Sequence, residues 1–277
     1  MQINWKVKSR IFGLIDFLHA DSLLYFLQRN VTRRSRVTTL TVSDTWSAHR
    51  KALIDNRCTS FVFEFGAGKN LAQNLFLSSF VDKQLVVDLN PMLDLRQVNR
   101  SRLLLSNLNS DTPIMQPQDL LAYGIEYRAP YDASQLDLAD NTLDACVTTN
   151  TLEHIPTDSI HDIFTELWRV LKDSGIVSAK IDYSDHYSHS DASITALNFL
   201  RFSDPQWRQH NHRCHFQNRL RHNDYRLLFL EVGFEIVSED LTFGAKAVPQ
   251  DLWEKVDTSS PTWSATSGHF VLRKKVS

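Results

Sequence analysis

Phe61-Val-Phe-Glu-Phe-Gly-Ala-Gly-Lys-Asn70 reads as a buried strand, a tight turn and the approach to a helix. The apolar run ends in Glu64 and Phe65, and Gly66 and Gly68 then flank Ala67. Residues without a Cβ let the backbone turn sharply and come close to a ligand. A helical pattern from Leu71 to Phe80 follows. Its start offers unpaired N–H groups and a positive dipole end. A second strand, Gln84 to Asp88, ends in an acid about 20 residues after the turn, the spacing at which nucleotide-binding folds set a carboxylate on ribose hydroxyls.

Two features choose among nucleotide cofactors. A dinucleotide fingerprint needs a third glycine three residues after the second, where Leu71 stands. The Glu64 carboxylate suits a cationic group better than a pyrophosphate. On Glu64, Gly66, Gly68 and Asp88 the chain resembles the class I S-adenosylmethionine-dependent methyltransferases. Asn70 stands where that family often has its third glycine, and Asn tolerates left-handed backbone better than most residues. The resemblance implies cofactor contacts from Glu64, Gly66, Ala67, Gly68, Asp88 and Leu89. It adds Asp132 and Ala133, since an acid here often accepts from the adenine amino group, and Asn150 after the fourth strand.

Later segments extend the resemblance over roughly residues 60–240. Strands are expected at 125–129, 145–149 and 176–181, and a helix at 160–172 stopped by Asp173-Ser-Gly175. Asn150-Thr-Leu-Glu-His-Ile155 looks like a run found after strand 4 in many small-molecule and sugar methyltransferases. Asn218-Arg-Leu-Arg221 with Tyr225 looks like a stretch of bacterial surface-polysaccharide methyltransferases. Residues 229–237 and 270–273 are expected to supply a terminal antiparallel pair. The expected fold is α/β, Rossmann-like: a mostly parallel seven-stranded sheet, helices on both faces, an antiparallel terminal strand and a helical N-terminal appendage.

Composition sets the bounds. The 277 residues suit one domain with appendages, here 1–50 as a helical cap and 51–277 as the methyltransferase domain, with a substrate or lid insertion over about 182–225. A formal charge of −2 gives no electrostatic footprint for nucleic acid, and none is expected as a partner. Cys58, Cys146 and Cys214 are scattered, which fits a reducing cytoplasm. No apolar run approaches the ~20 residues needed to span a bilayer. Ile11, Leu14, Ile15 and Leu18 recur at helical spacing, followed by Leu23, Leu24, Phe26 and Leu27 and a basic patch of Arg29, Arg33, Arg34 and Arg36. This segment reads as a cap over the cofactor site or a subunit contact in a homodimer, ahead of a weak membrane-surface contact through the arginines.

Methyl transfer to a hydroxyl needs aligned reactants and a base at the C-terminal ends of the strands. Residues 182–191 supply three carboxylates and two imidazoles there. His186 is the expected general base, because imidazole titrates near working pH. Asp185 or Asp182 is expected to orient it. His154, beside Glu153, is a further candidate for the chemistry. Asp182, His189, Trp207, Asn218, Arg219 and Arg221 are expected at the acceptor, the arginines forking onto a carboxylate or phosphate. Asp182, Asp185, His189 and Asp191 also offer Mg²⁺ ligands, but the spacing matches no metal motif and no metal is expected. The expected activity is methylation, at oxygen, of a small molecule or sugar. The alternative is a catalytically inactive S-adenosylmethionine- or nucleotide-binding protein with an assembly or regulatory role.

Overall fold

The computed structural model describes residues 3–19, 43–105, 113–244 and 261–275. Its strands are β1 (Phe61–Phe65), β2 (Lys83–Val87), β3 (Ile125–Arg128), β4 (Leu143–Thr149), β5 (Leu171–Asp182), β6 (Phe234–Phe243) and β7 (Ala265–Lys274). They form one sheet of order β3-β2-β1-β4-β5-β7-β6. Pairing is parallel from β3 through β5, and β7 runs antiparallel to both β5 and β6. The expected Rossmann-like sheet with its antiparallel strand is therefore present. The order reverses at β1, flanked by β2 and β4, and such a switch point opens a crevice at the carboxyl ends of the strands.

Strand alternation explains the two faces. Phe63 and Phe65 join Cys146 and Val177 on one side, packed under α5 (Thr157–Val170) and α7 (His222–Val232). Val62, Val86, Ala145 and Val147 face α2 (Asp44–Asp55), α3 (Ala72–Leu77) and α4 (Leu95–Leu104). Helix α5 presents Ile160, Ile163, Phe164 and Leu167 as one buried stripe, the 3.6-residue repeat read from sequence.

Three boundaries differ from expectation. The stop at Asp173-Ser-Gly175 is absorbed into β5 as an irregularity: the register with β4 slips between Leu143–Leu171 and Ala145–Ile176. The apolar residues Ile194, Leu197 and Leu200 predict a short helix, but only one 3₁₀ turn forms there, at Asn198–Arg201. Asp191 there bonds the Ser193 N–H and hydroxyl, a local side-chain turn that competes with helix formation. Helix α2 also runs across residue 50, and its Ala52 and Leu53 belong to the main core, so the expected appendage boundary falls inside a core helix.

Helix α1 (Trp5–Phe17) buries Trp5, Ser9 and Phe12, while Ile11, Leu14 and Leu18 of the expected apolar repeat are exposed. Its packing partner is the insertion between β5 and α7, residues 183–221. Trp5 and Phe12 share a small separate core with Tyr187, Phe199 and Trp207, the last from α6 (Asp204–Trp207). The Trp5 N–H donates to Asp191 Oδ2 at 2.7 Å. Leu23–Leu27 and the arginines 29, 33, 34 and 36 lie outside the described residues. Among the described residues, no helix is long and apolar enough to cross a membrane.

Candidate active site at the carboxyl ends of the strands

The glycine turn is built from two glycines with different tasks. Gly66 has φ +74°, and a Cβ there would stand 2.3 Å from Thr151 Cγ2. Sequence reasoning set ligand against that position; the space is taken by the turn after β4. Gly68 has φ +76° and nothing within 4 Å of a Cβ, so it is the residue that faces open space. Ala67 lies between them, half-buried. The left-handed residue that follows is Leu71, φ +45°, not Asn70. Asn70 Oδ1 instead accepts from the N–H of Ala72, the first residue of α3, at 2.9 Å.

Glu64 faces α3. Its oxygens accept from Gln73 Nε2 at 3.0 Å and Asn74 Nδ2 at 2.7 Å. Burial pushes its carboxyl up to about 7, against the pull of the two amides. A cofactor contact from Glu64 must therefore compete with two bonds that tie β1 to α3. The same Gln73 accepts from Thr149 Oγ1 at 2.9 Å, and a buried chain continues through His49, Ser178 and His269.

Asp88, at the end of β2, is 3% exposed. It accepts from the Tyr127 hydroxyl at 2.9 Å and, at 3.4 Å, from the Gly68 N–H. Burial raises its carboxyl, partly offset by the tyrosine bond. Tyr127 was missed from sequence, where it reads only as a strand residue. Leu89 beside it is 67% exposed, an apolar side chain presented at the crevice. Asn150 sits left-handed (φ +50°) and exposed at the end of β4. Asp132 is exposed, with Oδ1 taken by the Ser134 N–H and hydroxyl, and Ala133 is buried in the core. The uncrowded Gly68, the buried acceptor Asp88 and the exposed Leu89 fit the backbone, ribose and adenine needs of S-adenosylmethionine.

Beyond the crevice, the turn after β4 meets the end of β5. His186 Nε2 lies 3.4 Å from Asp182 Oδ2 and completes no hydrogen bond. His189 Nε2 is 3.6 Å from the same oxygen. The rings of His154 and His186 have centroids 4.8 Å apart, and those of His186 and His189 4.9 Å apart. His154 Nδ1–H donates to the Phe216 carbonyl at 2.9 Å, which leaves Nε2 as the free ring nitrogen. Desolvation and the His186 ring hold His154 below its usual value. Glu153 is 3% exposed, and neither of its oxygens completes a hydrogen bond. Burial pushes its carboxyl up to about 8, although nearby backbone amides at Glu153 and Asp182 pull the other way. Gln217, also missed from sequence, fixes this loop: it accepts from the His186 N–H and donates to the Ser184 carbonyl.

Several expected site residues are engaged elsewhere. Asp185 is fully buried, accepting from the Tyr187 N–H at 2.8 Å and Asn198 Nδ2 at 3.1 Å, so Asp182 and not Asp185 faces His186. Asp185 and Asp191 turn away from Asp182 and His189, so the four residues that the sequence offered as possible Mg²⁺ ligands do not come together. Arg221 is spent on the carbonyls of Tyr183, Trp263 and Ala265. Arg219 is spent on those of Phe199 and Phe202 and on Asp204. Asn218 Nδ2 clamps the Leu152 and Ile155 carbonyls at 2.8 Å each, and Trp207 is buried in the small core. These four brace the chain around the segments after β4 and β5.

Comparison with known proteins agrees with this geometry. The family described as "Methyltransferase domain" matches residues 64–179. No curated protein matches in sequence. A Bacillus halodurans protein described as a methyltransferase is 16% identical, with a TM-score of 0.51, over 84% of this chain and 99% of that one. A Listeria monocytogenes protein described as an S-adenosylmethionine-dependent methyltransferase gives 14% and 0.50, over 84% and 98%. A chain from the complex of the Haloferax volcanii Trm112 methyltransferase activator with a methyltransferase gives 14% and 0.50, over 96% and 98%. At such identities the likeness is one of fold. Residues 64–179 thus match the methyltransferase-domain family, and the crevice has the fold and the residues to take S-adenosylmethionine.

Proposed function

We propose that this enzyme methylates a hydroxyl oxygen of a small polar acceptor, a sugar among the candidates, held between the turn after β4 and the end of β5. The observation that carries the reading is His186 Nε2, mostly buried yet without a hydrogen bond, 3.4 Å from Asp182 Oδ2. A hydroxyl acceptor must lose a proton, and an oriented imidazole at this end of the sheet is placed to take it. When bound, S-adenosylmethionine supplies the activated methyl group. Gly66, Ala67, Gly68, Asp88, Leu89 and Asn150 are the residues to hold it, with Glu64 supporting the turn from α3 and Asp132 and Ala133 bordering the crevice.

The protein's own work is to hold the acceptor, remove its proton and keep water out. Asp182 orients the His186 ring and lies against the imidazolium that forms once the proton has arrived. His154 and His189 supply further polar contacts on either side of that ring. An assembly protein that only binds the cofactor has no use for an unpaired imidazole set on a carboxylate there. The test is turnover with S-adenosylmethionine and a panel of hydroxylated acceptors. His186→Ala is expected to lower kcat by about 10²–10⁴ while cofactor affinity stays constant. Full turnover in that variant overturns the assignment.

A further inference from the structure

A carboxyl as deeply buried as that of Glu153 is ordinarily paired, because an uncompensated charge is held out of the interior. Here both oxygens lack hydrogen bonds, and they lie among imidazoles. One donor atom each from Glu153, His154 and His186 lies within 4.8 Å of the other two. The same holds for Asp182, His186 and His189. Donors sharing one tetrahedral cation at about 2.0–2.2 Å stand about 3.3–3.6 Å apart, so side-chain rotations that move the donor atoms by about an ångström bring either set into range.

The surroundings match those of ligating histidines. A metal-bound imidazole generally donates its other N–H to a carbonyl or carboxylate, which fixes its orientation. His154 does so through Nδ1–H to Phe216, leaving Nε2 for a ligand. His186 Nε2 is likewise unoccupied. The set comes from two elements that the fold locks together: Glu153 and His154 from the turn after β4, His186 from the segment after β5. Asn218 clamps the first and Gln217 the second.

We propose that Glu153, His154 and His186 bind a divalent first-row transition-metal ion, with Asp182 and His189 on its acceptor side. Two imidazoles and one carboxylate favour Zn²⁺, Co²⁺ or Fe²⁺ over Mg²⁺, which prefers oxygen alone. The proposal rests on the reading of this cluster as the acceptor site and changes the part His186 plays. A coordinated imidazole has no lone pair for a proton. The cation instead acidifies a coordinated hydroxyl, whose proton passes to the Asp182–His189 pair and from exposed His189 to water.

The binding test needs no acceptor. The full chain, stripped with EDTA, is titrated calorimetrically with ZnCl₂ and with MgCl₂ alone. The expected result is one Zn²⁺ per chain and no Mg²⁺ binding at the same concentrations. Glu153→Gln and His186→Ala should each weaken Zn²⁺ binding by about tenfold or more, and His161→Ala, on the exposed side of α5, should leave it unchanged. Retained S-adenosylhomocysteine affinity shows that a variant is folded. Should Glu153→Gln fail that control, His154→Ala, at an exposed position, decides the question in its place. Absent stoichiometric Zn²⁺ binding, or binding untouched by these variants, overturns the metal site. Methyl transfer that survives stripping in a protein that does not bind Zn²⁺ rejects the metal and leaves the methyltransferase reading standing. Failure of the unaltered chain to methylate any hydroxyl acceptor, with Zn²⁺ bound, rejects the acceptor reading alone.

Discussion

Thr151 fills the volume that a side chain on Gly66 would occupy, its Cγ2 2.3 Å from an added Cβ. The cofactor turn after β1 and the turn after β4 are thus packed against one another. Thr151 Oγ1 also donates to the Gly66 carbonyl at 3.3 Å. Gly66→Ala is expected to displace the turn and weaken S-adenosylhomocysteine binding. Gly66→Ala with Thr151→Ala should recover part of the loss, limited by the roughly 1–2 kcal/mol that a left-handed backbone costs an L-residue. Calorimetry on the pair checks this, and a double variant no better than the single one contradicts it.

Asp88 is the buried acceptor at the crevice. Asp88→Ala should cost about 1.5–3 kcal/mol of cofactor affinity, the worth of a hydrogen bond to a charged group. Tyr127→Phe, which frees one Asp88 oxygen without removing the carboxylate, should cost less. Titration with S-adenosylhomocysteine reads both, and a loss below a factor of two for Asp88→Ala moves the ribose site elsewhere.

The two aspartates beside His186 separate cleanly. Asp182→Asn should lower kcat with little change in unfolding free energy. Asp185→Asn should do the reverse, losing about 1–3 kcal/mol, because both Asp185 oxygens receive donors, the Tyr187 N–H and Asn198 Nδ2, and an amide NH₂ would face one of them in a dry setting, whereas at position 182 Asn keeps the acceptor for the Ser184 N–H. Urea unfolding and turnover on both variants decide between them.

Acid should act through buried histidines. Burial holds His49 down at about 3 and His269 at about 4, each with a further like-charge contribution. Both lie below the ordinary value of 6.5, so the unfolded chain takes protons that the folded one refuses. Their stabilisation is complete above pH ~6.5 and is lost as pH falls toward ~4. Each contributes at most about 1.4 kcal/mol per pH unit. Glu64, pushed up to about 7, acts with opposite sign, so the comparison is by variant. His49→Ala should show a shallower loss of stability between pH ~6.5 and ~4.5 than the unaltered chain. Parallel curves would mean that His49 is protonated in the fold.

Much of this was legible in the sequence because strands, turns and helices carry local signals. The runs at 61–65 and 84–88 and the β5 segment announce a parallel sheet, and Gly66 and Gly68 announce the turn. What failed depended on neighbours distant in sequence. Whether Arg219 and Arg221 face a ligand or backbone carbonyls depends on where the chain near 199–202 and 261–265 comes to lie. Asp182 and Asp185 are interchangeable in composition, and only the direction of the chain leaving β5 separates them. Glu153 stood beside His154 in plain view, but its isolation from hydrogen bonds exists only once Asn218 and Gln217 have drawn the two segments together.

In the proposed function, cofactor and acceptor meet between the glycine turn and the His186 cluster. A crystal structure of the full chain with S-adenosylhomocysteine tests this most directly. The expected complex has ribose hydroxyls on Asp88, backbone contact at Gly68 and the sulfur directed toward His186 and His154. A ligand seated away from Asp88, or with its sulfur turned from those two histidines, would contradict it.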